Sequence, residues 1–187
     1  MRSIEETSNL SAQAFQEQVL PAGQPLVIRG LVKEWPLVQA GLRSDEDFCA
    51  YLKTFDRGYP VDTAQGPPSI GGRIFYNEDL SGLNCRMAQA SLSSSLDFLL
   101  EQAELESPST LAVQSVIVNR FLPGLDAENP LPPDLVPGGT GPRIWLGNRA
   151  TIAAHYDPSE NIACCVAGRR RFTLFPPDQV SNLYIGP

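Results

Sequence analysis

IAAHYDPSENIACCVAGRRRFTLFPPDQ, residues 152–179, holds the only histidine of the chain, His155, two positions before Asp157. Alternate residues of an extended chain share a face, so this spacing aims an imidazole and a carboxylate the same way. One neutral ring nitrogen and one carboxylate oxygen suit a divalent first-row metal; a second histidine would complete a facial triad with three open positions. On the tripeptide alone this signal is weak, because a lone histidine is more often a hydrogen-bonded structural residue. The flanks carry more. Asn161 opens an apolar run on which Ala163 and Cys165 share its face, and Gly168 makes a turn into Arg169, Arg170 and Arg171. Arg170 and Arg171 face opposite ways on a strand, so Arg170 can point inward and take a carboxylate through two parallel hydrogen bonds while its neighbours stay in water. A solvated hairpin turn is the plainer reading of the triplet, and it suffices for Arg169.

Working outward, four short strand-like segments follow one another from residue 143: RIWLGN, ATIAAHY, NIACCVAG and RRFTLFPP. Their length and spacing predict an antiparallel sandwich or barrel. Before them, PLPPDLVPGGTGP at 130–142 is too rich in proline and glycine for regular structure and predicts a surface loop. The first 129 residues read as mixed α/β. SAQAFQEQVL predicts a helix capped by Ser11 and stopped by Pro21. PLVIRGL predicts a buried strand, SDEDFCAYLKTF a helix capped by Ser44, GRIFYNEDL a strand, SSSLDFLLEQ a third helix and TLAVQSVIV a further strand. The expected fold is thus α+β to mostly β, with an N-terminal support (1–129), a loop (130–142) and the first strands of a β core (143–187).

The length of 187 residues suits one domain with a real core. Net charge −7 disfavours nucleic acid and anionic membranes as partners, and no apolar run approaches the roughly 20 residues of a spanning helix. The N-terminus lacks the apolar stretch of a secretory signal. Cys49, Cys85, Cys164 and Cys165 have no CxxC spacing; they are expected as buried free thiols in a reducing cytoplasm, with a zinc site or disulfide framework as the alternative and Cys164 and Cys165 on opposite faces of a strand.

The run from residue 153 to Tyr184 resembles the cupin-like JmjC branch of the Fe(II)- and 2-oxoglutarate-dependent oxygenases. The resemblance rests on His155-Tyr156-Asp157, Asn161, Gly168, Arg170, Leu174-Phe175-Pro176-Pro177 and Leu183-Tyr184, matched together over about thirty residues. PLVIRGLVKEWP, GRIFYNEDLSG and IWLGN extend it more loosely upstream. It implies a double-stranded β-helix, or jelly roll, of which this sequence holds part. It also implies that His155 and Asp157 are the first two iron ligands and that Arg170 pairs with the distal carboxylate of 2-oxoglutarate. Asn161 and Thr151 would lie near that cosubstrate, with Tyr156, Trp145, Ala163 and Cys165 around the pocket.

Three departures stand out. Ile152 occupies a position where the family often has a cosubstrate-binding threonine, and Ala112 one where a strand tyrosine is common. No second histidine follows, which leads to the expectation that the natural polypeptide continues past Pro187. The implied activity is O₂-dependent hydroxylation of a C–H bond, on a protein or peptide side chain, with a small molecule or modified RNA base as the alternative substrates; a homodimer is a separate expectation. The alternatives are a non-catalytic cupin-like binding or dimerisation module, and a cupin isomerase or hydrolase using another metal.

Overall fold

A computed structural model describes residues 3–132, 135, 141–157 and 159–183. Most of the proline- and glycine-rich stretch lies outside the described residues, as do Pro158 and Tyr184. The chain opens with a short parallel pair, β1 (Glu5–Thr7) beside β2 (Leu26–Ile28), clamped by two hydrogen bonds from Arg29 to the Glu6 carboxylate at 2.7 and 2.8 Å. Between them runs a helical stretch: α1 (Ala12–Ala14), a π-helical turn (Phe15–Val19) and α2 (Leu20–Ala22). Ser11 caps it as expected, accepting from Ala14 N at 3.1 Å. Pro21 does not stop it. The proline falls just after the π turn, at the start of α2, and the helix ends at Gly23, whose φ of +57° turns the chain left-handed. β2 is half-buried rather than buried, because its only described ladder partner is the exposed β1.

Helices α3 (Pro36–Arg43) and α4 (Asp45–Lys53) follow. Ser44 separates them and caps α4, its Oγ accepting from Asp47 N at 3.0 Å, while three acids in the first turn complement the helix dipole. The main sheet has the order β5-β3-β6-β7 and is antiparallel throughout: β3 (Pro60–Gly66), β5 (Arg86–Ser91), β6 (Thr110–Ile117) and β7 (Arg143–Gly147). Between β3 and β5 lies β4 (Arg73–Ile74), all that forms of the strand expected in GRIFYNEDL. α5 (Leu92–Ala103) leaves β5 directly, capped by Ser91, and the short α6 (Val118–Phe121) and α7 (Leu125–Glu128) leave β6.

The register divides the sheet into two unlike faces. Val61, Leu111, Val113, Val116 and Ile144 point to one side and pack with Leu37, Phe48, Leu52, Leu92, Leu96 and Leu122 of the helical layer. Full burial of one such leucine contributes on the order of 1.5–3 kcal/mol, so this helix-on-sheet contact is the core of the molecule. The other face carries Asp62, Met87, Gln89, Gln114, Arg143 and Trp145, all exposed. This is an α+β fold with a four-stranded antiparallel sheet and one open sheet face.

Beyond β7 only one of the other three expected C-terminal strands forms a ladder. β8 (Thr151–Ile152) pairs in parallel with β4. No described residue between 153 and 176 belongs to a strand, and a 3-10 turn spans Pro177–Asn182. A strand needs a hydrogen-bonded neighbour, and among the described residues neither NIACCVAG nor RRFTLFPP pairs with one.

Candidate functional site

Two glycines set where the His155 segment departs. At Gly147, the last residue of β7, a side-chain carbon would sit 2.5 Å from Leu111 O; at Gly72, one would sit 2.5 Å from Arg149 O. Gly72 also has φ +81°, and its carbonyl accepts from Thr151 N at 2.8 Å, which starts β8. Between the two glycines, Asn148 bridges back to β6, its Oδ1 accepting from Leu111 N at 3.1 Å and its Nδ2 donating to Ser109 O at 2.8 Å. IWLGN thus works as a strand ending followed by a side-chain clip, and it delivers Thr151 to a defined place.

His155 follows three residues after β8 and is exposed, as are Thr151, Tyr156 and Asp157. Its Nδ1 lies 2.9 Å from Ala153 O. A carbonyl can only accept, so Nδ1 carries the hydrogen and the lone pair of the neutral ring sits on Nε2. Metal-binding histidines are commonly held this way, because the second hydrogen bond fixes both tautomer and ring direction. Tyr156, beside His155, is 75% exposed.

From 161 to 166 the chain keeps the predicted alternation without the ladder. Asn161, Ala163 and Cys165 are exposed, while Ile162, Cys164 and Val166 are half-buried, and Val166 packs against the core. The inward side rests on α3. A side-chain carbon at Gly41 would meet Ala167 Cβ at 3.2 Å and Val166 O at 3.3 Å, so the bare glycine lets the segment lie close. The four cysteines are free, and Cys164 and Cys165 do take opposite sides. Uniform burial of the thiols does not hold: Cys49 is buried, Cys85 and Cys164 are half-buried and Cys165 is exposed. Burial pushes the Cys49, Cys85 and Cys164 thiols above the usual range.

After the turn at Gly168 (φ +66°), Arg169, Arg170 and Arg171 are all exposed. The expected division, with Arg170 turned inward, is not observed. A guanidinium leaves water only for a counter-charge in an enclosed site, and no such enclosure surrounds it among the described residues. Trp145 lies on the open sheet face at 52% exposure, and Ala112 stands opposite Gly147 on β6. Among the described residues no three His, Cys, Asp or Glu side chains converge on a common point. His155 and Asp157 fit two positions of an Fe(II) site by donor type; the third is not supplied by these residues.

One feature escaped sequence reasoning. The open face holds a concavity of about 600 Å³ between β3, β5, β6 and β7, lined by Asp62, Gln89, Ser115, Arg120 and Arg143 among others. Its only linear trace is the alternation of polar residues in VDTAQG and RMAQAS, which is indistinguishable from an ordinary solvated face.

The two-layer α+β structure, with a β sheet open on one face and a His-x-Asp segment leaving a strand, is consistent with a cupin-type, jelly-roll-like fold. Residues 12–187 match the cupin-like domain family, and the chain belongs to it, in its JmjC-type branch. It is 26% identical over 186 residues to JmjC domain-containing protein D of Dictyostelium discoideum, covering 93% of this chain and 40% of that protein. Identity is again 26%, over 190 residues, with Jumonji C domain-containing protein 5 of Drosophila melanogaster, covering 93% and 41%. With the human bifunctional peptidase and (3S)-lysyl hydroxylase JMJD7 it is 25% over 173 residues, covering 87% and 50%. The chain thus spans between two-fifths and one-half of the length of these relatives.

Proposed function

We propose that this chain forms part of an Fe(II)- and 2-oxoglutarate-dependent oxygenase that hydroxylates a C–H bond of a protein or peptide side chain. The observation that carries the reading is His155, its Nδ1 pinned to Ala153 O and its Nε2 left for a ligand, two residues before an exposed Asp157. These two side chains would hold iron together with a histidine that this sequence does not contain. The iron and its cosubstrate supply the O₂-dependent oxidation, and the chain supplies orientation. Arg170, whose guanidinium is exposed, offers a two-pronged contact to the distal carboxylate of 2-oxoglutarate. Asn161 and Thr151 offer an amide and a hydroxyl on the same stretch, and Trp145, Ala163 and Cys165 offer surface to the substrate. The lysyl hydroxylase named among the relatives supports a side-chain substrate. Four free thiols fit a reducing cytoplasm, and among the described residues no helix is long and apolar enough to cross a membrane.

The full-length protein, given Fe(II), ascorbate and a peptide substrate, should convert 2-oxoglutarate and O₂ to succinate and CO₂ while one oxygen atom enters the substrate. His155→Ala should abolish that turnover; succinate formation unchanged by it would remove His155 from the site. The second reading is a non-catalytic cupin-like binding or dimerisation module. It is favoured by the single histidine of the sequence, and it predicts no succinate and no stoichiometric Fe(II) binding.

A further inference from the structure

We propose that a second hollow, at one end of the main sheet, binds a free α-amino acid with a small side chain, its carboxylate on Arg149 and its ammonium on Glu106. Three connections meet at that end. β3 ends at Gly66, β6 begins opposite it at Thr110, and β7 ends at Gly147 beside Leu111. The walls come from the chain next to those strand ends. Pro68, Gly71 and Gly72 follow β3, Glu106 and Ser107 precede β6, and Asn148 and Arg149 follow β7. The hollow has a volume of about 370 Å³ and shares no lining residue with the concavity on the open sheet face.

A buried hydroxyl is the first sign of a ligand. Thr110 is 2% exposed and lines the hollow, yet its Oγ1 bonds none of the described residues. Among those residues every side-chain polar atom sealed from solvent has a partner, so this hydroxyl opens onto the hollow. A polar group in such a place is costly to leave unpaired, and a ligand oxygen would satisfy it. Ser107 sets a second hydroxyl at the exposed rim.

Charge points the same way. Glu106 and Arg149 stand on different walls, both exposed, and among the described residues neither forms an ion pair. Opposite charges that share a small hollow but do not meet leave room for a molecule carrying both. Arg149 offers a carboxylate two parallel N–H groups, and Glu106 can accept from an ammonium.

The walls are also fixed before anything binds. Asn148 Nδ2 donates to Ser109 O at 2.8 Å, which ties the turn after β7 to the approach to β6. Gly72 O accepts from Thr151 N at 2.8 Å, which ties the same turn to the connection after β3. Binding therefore needs little further ordering. A side-chain carbon at Gly71 would meet nothing within 4 Å, so bare backbone there keeps the space open.

The lining selects the class of ligand. A free α-amino acid carries both charges on one carbon, whereas Glu106 repels phosphate or a dicarboxylate, and the interior of a peptide has neither charge. The volume lies near the low end of the range of about 300–1,000 Å³ for small-ligand sites, and Pro68 and Pro108 give apolar contact to a short side chain. An occupant would brace the turn that delivers Thr151 to β8, although its binding does not depend on the oxygenase reading.

The test is titration of the ¹⁵N-labelled full chain, without added metal, with L-alanine and with L-serine, followed by NMR. Saturable amide shifts are expected at Gly71, Gly72, Ser107 and Arg149, and His155→Ala should leave the affinity unchanged. Arg149→Gln and Glu106→Gln should each weaken binding about 10-fold, and Thr110→Val about 3- to 10-fold. N-acetyl-L-alanine and L-alaninamide, which each lack one charge, should bind about 10-fold more weakly than L-alanine. The two charged side chains are exposed, and unchanged spectra away from the hollow will show that the variants fold. No saturable shift with either amino acid, or shifts confined to other parts of the chain, would overturn the site. Affinities that ignore Arg149→Gln and Glu106→Gln, or equal binding of the blocked derivatives, would overturn the two-charge recognition, and tighter binding of inorganic phosphate would overturn the class of ligand.

Discussion

Replacing Gly147 by alanine tests how the chain delivers its His-x-Asp segment. The new methyl carbon would lie 2.5 Å from Leu111 O, nearly an ångström inside ordinary contact, and 3.4 Å from Ala112 Cα. Both neighbours are backbone in a paired strand, so neither can swing aside and β7 itself must move. Overpacking of this kind costs about 1–3 kcal/mol. The displacement also strains the Asn148 clip, whose two half-buried hydrogen bonds contribute about 1 kcal/mol each. Together a loss of about 2–4 kcal/mol is expected, read from urea unfolding of the full chain as a lower midpoint at unchanged slope. Gly141→Ala is the control. Its new carbon meets only the flexible Asn119 side-chain amide, at 3.1 Å, and should cost well under about 1 kcal/mol. Equal midpoints for the two variants would refute the reasoning.

Further tests probe other parts of the structure. Cys165 is exposed on the alternating segment, whereas burial shields Cys49, Cys85 and Cys164 and pushes their thiols further up; a thiol reagent should modify one cysteine rapidly, and Cys165→Ser should remove that phase. Two fast thiols in the native protein would break the alternation. Asp56 ties the loop after α4 to the start of α5. Burial by itself would raise its pKa, but hydrogen bonds from Ser93 Oγ (2.5 Å), Gly58 N (2.9 Å) and Ser93 N (2.9 Å) outweigh it and hold the carboxyl below its ordinary value. A depressed carboxyl stabilises the fold above its unfolded pKa, and that contribution disappears as pH falls through the lower folded value. Asp56→Ala should therefore cost about 1–3 kcal/mol at pH 7 and progressively less in acid, below about pH 4. A penalty independent of pH would show that the ionised form is not what matters.

Features decided within a few residues were legible in the linear chain. Ser11 and Ser44 cap helices because a short side-chain oxygen reaches an amide three positions on, and the apolar periods of DEDFCAYLK and SSSLDFLLEQ place their helices. The alternation from Asn161 to Val166 is likewise local and survives without a ladder. β3 was not legible. Its residues PVDTAQG include proline, aspartate and glycine, all poor in strands, yet it lies between β5 and β6 in the sheet. Packing against Leu52 and Leu92 and pairing on both edges override that preference. α3 was missed for a similar reason: its inner glycine, Gly41, argues against a helix until Ala167 is seen against it.

The residues alone determined the family motif, the spacing that makes His155 and Asp157 a candidate donor pair, and the turn that brings Arg170 after Asn161, because spacing and side-chain chemistry travel with the chain. Tertiary structure decided which sheet face the helices cover, where β7 ends, that Arg170 stays in water, and that Arg120 and Arg143 meet at one hollow. Those outcomes depend on strand register and on contacts between segments tens of residues apart, whose partners no local pattern names.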